Sequence, residues 1–243
     1  MTSLGMYDYY SMMCLRNFVT VCCLAILSSL FAPDTRAECS RDSVQLVTGG
    51  LKAEANMSGY VFPDLSSDVV HADPGFGGTL GGFVFFDFHR HFGLQMEWLY
   101  HVRMAHVHQP GHKGLLFYAG FEVPLYWSVQ WTFNRCDRVF LLFGPTVEYG
   151  YKAQIFEDGE SIDLYKKDDE TQLSAMKDVS MGWSFVFGYE FRFGLQVQLS
   201  CKMGFYNILD ANRSEVEAYP YSLSAGLAYR FGAMRGRGGA HGK

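Results

Sequence analysis

From Val179 to Phe193 the side chains alternate without interruption. Val179, Met181, Trp183, Phe185, Phe187, Tyr189, Phe191 and Phe193 occupy one parity; Ser180, Gly182, Ser184, Val186, Gly188, Glu190 and Arg192 occupy the other. Successive side chains of an extended chain point to opposite faces. A strand here therefore has one wholly apolar face and one that is almost entirely small or polar. A helix would scatter both sets around its axis, so the run excludes a helical reading.

Seven further stretches show the same period. Phe92–Met104, Leu195–Phe205 and Tyr219–Phe231 are as regular, Phe117–Trp131 and Val139–Tyr151 follow, and Val47–Met57 and Phe76–Phe88 are noisier. Eight strands are thus predicted. Their connections alternate in length: His89-Arg90-His91, Thr132–Asp137 and Gly194 are short, while Ser58–Gly75, Ala105–Lys113, Ala153–Asp178 and Asn207–Ala218 are long. Short turns at one end and long loops at the other are the pattern of outer-membrane barrels, with termini periplasmic and long loops outside.

Alternation alone does not say which face is inside, because a soluble barrel would bury the apolar one. Three features favour the membrane. The polar face is rich in Gly, Ser and Gln, as a narrow filled lumen requires. The regular runs of 11 to 15 residues exceed ordinary strands of about 5–6 and suffice to cross a bilayer. Tyr149, Tyr151, Tyr219 and Tyr221 gather toward the loop end and Trp131, Tyr189 and Tyr229 toward the turn end, as aromatic girdles do. The fold predicted is all-β: an eight-stranded antiparallel transmembrane β-barrel over residues 47–231.

Charges on the polar face must then meet inside. Lys52, Glu54, Glu97, Arg103, Glu122, Glu148, Glu190, Arg192, Lys202 and Arg230 are expected to form a structural ion-pair network that plugs the lumen. The sharper alternative is an ion path or a catalytic carboxylate pair. A net charge of −5 leaves no basic field for nucleic acid.

Phe18–Ala32 is apolar but has only 15 residues; it follows Arg16 and precedes Thr35-Arg36-Ala37. That layout predicts a signal peptide cut after Ala37, with Met12 or Met13 as the natural start. A short periplasmic segment (38–46) and a flexible tail (232–243) complete the organisation. Glu38 sits where lipoprotein processing at Cys39 needs a small residue. Cys39 and Cys136 both fall at the periplasmic end, where export would permit a disulfide, though the sequence alone does not bring them together.

The order of short motifs resembles the PorT-like outer-membrane β-barrel family of Bacteroidota. Gly50-Leu51-Lys52-Ala53-Glu54-Ala55-Asn56-Met57-Ser58 resembles its opening strand, and Gln95, Glu97, Leu99 and Tyr100 its Q-x-E-x-L-Y hairpin. Glu122-Val123-Pro124-Leu125, Gly144-Pro145, Gly188-Tyr189-Glu190-Phe191 and Ala228-Tyr229-Arg230-Phe231 resemble later strands. Glu54 stands where the family often has Gly, and twelve residues follow Phe231, whereas such barrels usually end on that aromatic. The resemblance implies the barrel fold and, for a few members, an accessory part in secretion or gliding machinery.

Sites of chemistry are sparse. His101, His106, His108 and His112 cluster around the second long connection, without Cys or acidic residues in that loop to complete a metal set. His101 and Ser180 could both lie near the outer rim, as a lipid-modifying enzyme would need, but no carboxylate is spaced to orient the histidine. The acidic third loop lacks a calcium-loop pattern. The expectation is a non-enzymatic integral barrel without metal or cofactor, contacting lipid, lipopolysaccharide and envelope or secretion proteins. An outer-leaflet lipid-modifying enzyme or a small pore are the alternatives.

Overall fold

A computed structural model describes residues 47–61, 71–109, 112–133, 137–157, 160–166, 174–209 and 217–231. The expectations for the signal peptide, the start site, the Cys39–Cys136 pair and the tail lie outside the described residues. The strands are β1 (Val47–Val61), β2 (His71–His89), β3 (Phe92–Gln109), β4 (His112–Thr132), β5 (Arg138–Glu157), β6 (Glu160–Asp163), β7 (Val179–Glu190), β8 (Leu195–Gly204) and β9 (Tyr219–Arg230). All neighbours pair antiparallel, in the order β4-β3-β2-β1-β9-β8-β7-β5, and a β4–β5 ladder closes the ring. The seam between first and last strands runs from Gly50 opposite Arg230 to Val61 opposite Tyr219. Eight strands therefore close into a barrel, and β6 adds a short flap to β5 outside the ring.

The alternation resolves as the membrane reading expects. Leu51, Leu80, Trp98, Trp127, Phe187 and Leu199 face outward at 50–63% exposure, whereas the polar parity is buried along β1 and β7. Such a belt tolerates lipid and not water. Inside, glycines stand against aromatics: a Cβ on Gly93 would lie 2.5 Å from the Phe85 ring, and one on Gly188 would lie 2.2 Å from the Phe140 ring. The small residues of the lumenal face thus make room for large ones on the neighbouring strand.

The walls differ in height. β2 to β5 have 19, 18, 21 and 20 residues, but β7, β8 and β9 have 12, 10 and 12. At roughly 3.3 Å per residue the tall strands run about 60–70 Å and the short ones about 33–40 Å, and only about 9–11 tilted residues are needed to cross a bilayer. The surplus lies at the loop end. There the second long connection is largely sheet: Val107 pairs with Gly114 and Gln109 with His112. Within the expected loop Ala105–Lys113, Ala105 to Gln109 and His112 to Lys113 continue the β3–β4 pairing past the apolar run that marked the strand.

Two local features break the expected parity. Between Ala119–Lys152 and Gly120–Gly150 the β4–β5 register shifts, leaving Tyr151 as a bulge residue. Tyr151 and Lys152 both face out, and Ala153 turns inward with 0% exposure. A bulge inserts one residue and inverts the faces beyond it. At the other end, β7 stops at Glu190. The Phe191 amide donates to the Leu195 carbonyl (2.8 Å) and the Gly194 amide to the Phe191 carbonyl (2.8 Å), with Gly194 at φ 94°. Phe191, Arg192 and Phe193 are therefore turn, not strand, although their letters continue the pattern. The left-handed backbone costs an L-residue about 1–2 kcal/mol, so Gly194→Val should lower the free energy of unfolding by that amount in a urea titration of the lipid-embedded barrel. Gly194→Asn should lose less.

The loop end carries an apolar cap. Met176 and Ile208 pack with Tyr60, Leu116, Tyr118 and Ala153. Met176 bridges Leu209, the Leu164 amide donates to the Ala153 carbonyl (2.9 Å), and the Lys177 amide to the Ile208 carbonyl (2.7 Å). From the third connection, Met176, Leu164 and Tyr165 thus pack over the barrel mouth, while Phe156 and Ile162 stay exposed. Burying Met176 and its neighbours outweighs leaving that stretch extended in water.

Candidate functional site in the lumen

Below the cap the lumen is packed with charged side chains arranged in three tiers. Nearest the turns, Arg138 Nη2 donates to Glu190 Oε1 (2.7 Å) and Arg230 Nη2 to Asp87 Oδ2 (2.7 Å); Arg230 Nη1 also lies 3.5 Å from Glu190 Oε2. Gln130 Nε2 donates to Asp87 (2.7 Å), Gln196 Nε2 to Glu190 (2.7 Å), and the Arg230 guanidinium lies 4.1 Å from the Phe85 ring centroid. Two guanidinia and two carboxylates form one closed group in which each charge has two or more partners. Buried charges persist only when paired and hydrogen-bonded in this way.

In the middle tier Lys52 Nζ lies between Glu97 (3.0 Å) and Glu54 (3.3 Å). Gln95 donates to Glu97 and Gln198 to Glu54. An apolar group of Tyr126, Phe140, Leu142 and Val186 fills the space beside these charges, and the Tyr126 hydroxyl donates to Ser184 (3.0 Å).

The third tier joins β3, β4, β5 and β8. Arg103 pairs with Glu148, Lys202 pairs with Glu122, and the Thr146 hydroxyl donates to Glu122 Oε1 (2.7 Å). His101 stands between the two carboxylates, with Nε2 3.3 Å from Glu148 Oε1 and Nδ1 3.6 Å from Glu122 Oε2. Its ring stacks on Tyr118 at 5.5 Å and 11°. The imidazole is 1% exposed, and neither nitrogen makes a hydrogen bond to the described residues.

Nine of the ten residues expected in the network lie in these tiers. Arg192 does not. It is exposed in the β7–β8 turn, where its backbone amide donates to Asp137 Oδ1 (2.8 Å), because the Gly194 turn ends the strand two residues earlier. Asp87, Arg138 and His101 belong to the network and were missing from the expected set. Arg138 has the parity of Glu148 and would have been found had β5 been started one residue sooner. Asp87 follows Phe83 and Phe85, which face inward, so apolar residues occupy both faces of that strand and mask it. The four histidines do not form one cluster. His101 and His106 are five apart, which places them on opposite faces: His101 is buried in the lumen and His106 is exposed.

The sequence matches the family described as outer membrane protein beta-barrel domain over residues 46–210. The chain belongs to this family. The match starts at β1 and extends past β8, leaving β9 to close the ring. The fold and the family together make this a barrel of the bacterial outer membrane. Among solved structures it is similar to Neisserial surface protein A (10% identity, covering 75% of this chain and 97% of that one, TM-score 0.44). It is also similar to OprG from Pseudomonas aeruginosa (13%, 76% and 94%, 0.43) and to Ail, the attachment invasion locus protein of Yersinia pestis (13%, 76% and 98%, 0.40). No curated protein matches it.

Proposed function

We propose that this barrel is a closed, non-catalytic scaffold of the outer membrane that displays a protein-binding wall, and that it serves as an accessory subunit of a larger envelope assembly. The observation that carries this reading is the filled lumen. Among the described residues, three tiers of paired charge and an apolar cap enclose two cavities of about 10 Å³ each, room for one water-sized particle in either. A pore needs a continuous aqueous path, and a lipid-modifying enzyme needs its nucleophile and base at the lipid. His101 and Ser180 are instead buried on the lumenal side, at 1% and 8% exposure.

The wall height supports the same reading. The surplus of β2 to β5 is ordered sheet, and ordered sheet suits recognition better than a mobile loop because less entropy is lost on docking. In this proposal the short turns and both termini face the periplasm and the tall wall faces outward. The motif resemblance to PorT-like barrels of Bacteroidota directs the search for partners toward secretion and gliding components.

Cross-linking in intact cells, followed by mass spectrometry, tests this directly. A reproducible set of envelope proteins attached through the β3–β4 hairpin or the β5–β6 flap is expected. A folded, abundant barrel with no attached protein would overturn the accessory role. In planar bilayers the purified protein should give no steady single-channel conductance, and steady channels would instead establish the pore.

A further inference from the structure

We propose that His101, Glu122 and Glu148 form a binding site for one divalent transition-metal ion of the zinc class, set inside the lumen beneath the cap. The three side chains come from adjacent strands β3, β4 and β5. Glu122 and Glu148 are register partners, and His101 faces the same interior from two positions along. One ligand atom from each residue lies within 4.8 Å of the others. Zinc–nitrogen and zinc–oxygen distances of about 2.0–2.2 Å set a tetrahedral edge of roughly 3.4 Å. Since Nε2 faces Glu148 and Nδ1 faces Glu122, the site closes when the imidazole turns one nitrogen toward both carboxylates and Lys202 leaves Glu122. One imidazole with two carboxylates suits zinc, cobalt or manganese; magnesium and calcium prefer oxygen alone.

Three observations point to a ligand here. His101 is 1% exposed, its nitrogens face the Glu148 and Glu122 carboxylates at 3.3 and 3.6 Å without a well-aligned hydrogen bond, and it lines the cavity between the middle and third tiers. That cavity holds one water-sized particle. The third observation is charge. Among the described residues the lumenal network contains six carboxylates (Glu54, Asp87, Glu97, Glu122, Glu148, Glu190) and five cations (Lys52, Arg103, Arg138, Lys202, Arg230). Lys202 is the most accessible of the cations, with a 20% exposed side chain, and it lies at the low wall. If Lys202 leaves Glu122 and turns its ammonium out of the lumen, a dication in its place makes six negative charges face four cations plus two. The second cavity, lined by Arg103, Glu148, Ser180, Lys202, Gly204 and Pro220 among others, adjoins Glu148 on the side of the short strands.

In this arrangement one histidine nitrogen takes the ion, and the Arg103 contact to Glu148 and the Thr146 contact to Glu122 orient the carboxylates, as outer contacts do in other metal centres. The ion ties β3, β4 and β5 together under the cap. No bond is made or broken in the protein, and binding releases whatever proton the imidazole carries.

Cobalt(II) titration of the full-length barrel, refolded in detergent after chelator treatment, tests the site. One equivalent should bind with a visible absorption band in the intense tetrahedral range, and zinc should displace it. His101→Gln should abolish the band, and Glu122→Gln should weaken binding about tenfold or more. Lys202→Met should tighten it, an effect a purely structural lysine would not give. Heat-modifiable gel mobility confirms that each variant is folded. A triple change of His106, His108 and His112 to Gln separates this site from exposed histidines and should leave the band intact. Absence of cobalt binding by the folded barrel would overturn the proposal. So would a band that survives His101→Gln but disappears in the triple variant, and so would Lys202→Met weakening the ion.

Discussion

Asp87→Ala is expected to cost the barrel about 3–5 kcal/mol, the penalty for leaving a buried charge without its partner. Asp87 accepts from Arg230 and Gln130 and lies 3.8 Å from Arg138. Its removal leaves two guanidinia facing the single carboxylate of Glu190 inside a water-poor lumen. The residue is 3% exposed, so solvent cannot compensate. Equilibrium unfolding in urea from lipid vesicles should show the loss as an earlier midpoint with an unchanged slope. Replacing Asp87 and Arg230 together by apolar residues of similar volume should recover a large part of it, since desolvation of both charges is then avoided. If the single variant unfolds at the wild-type midpoint, the turn-end tier is not the closed group described.

Phe187→Asp is expected to prevent stable insertion. Phe187 is 51% exposed on the apolar belt and pairs with Leu141 and Leu199, in the turn-end half of the short strand β7. A cation at the bilayer midplane costs a barrel about 2–4 kcal/mol and an acid somewhat less, to which the lost transfer of a phenyl ring adds about 1.5–3 kcal/mol. Folding yield into vesicles, read by gel mobility, should fall to near zero, while Phe187→Leu should fold normally. Full yield for the aspartate variant would reverse the assignment of faces.

Both predictions depend on parity, which is also the measure of what could be read in advance. In Val179–Glu190 the faces differ so sharply that strand, orientation and lumenal residues follow from the letters. In Phe83–Asp87 both faces are apolar, because the lumen there accepts Phe83 and Phe85 beside glycines, and Asp87 was lost in that ambiguity. At Tyr151 a bulge inverts the faces, and no local residue type announces it. At Phe191–Phe193 alternation continues through a turn that only the backbone of Gly194 reveals, which is how Arg192 was misplaced. The third tier was visible as charges of the right parity. That His101 would stand between Glu122 and Glu148 depends on how strands β3 to β5 are staggered. Stagger is set by closure of the whole ring, so spacing along the chain carries no sign of it.

The unequal wall gives the molecule a compass bearing. A barrel of uniform height looks the same from every direction in the plane of the membrane, so a neighbour sliding toward it finds no preferred azimuth. Here one flank rises as a ledge from β2 to β5 and the opposite flank, β7 to β9, ends near the level that lipid requires. A neighbour tall enough to touch the ledge meets it on one side only. Any assembly built from such contacts would fix how each copy is turned about the membrane normal relative to its neighbour.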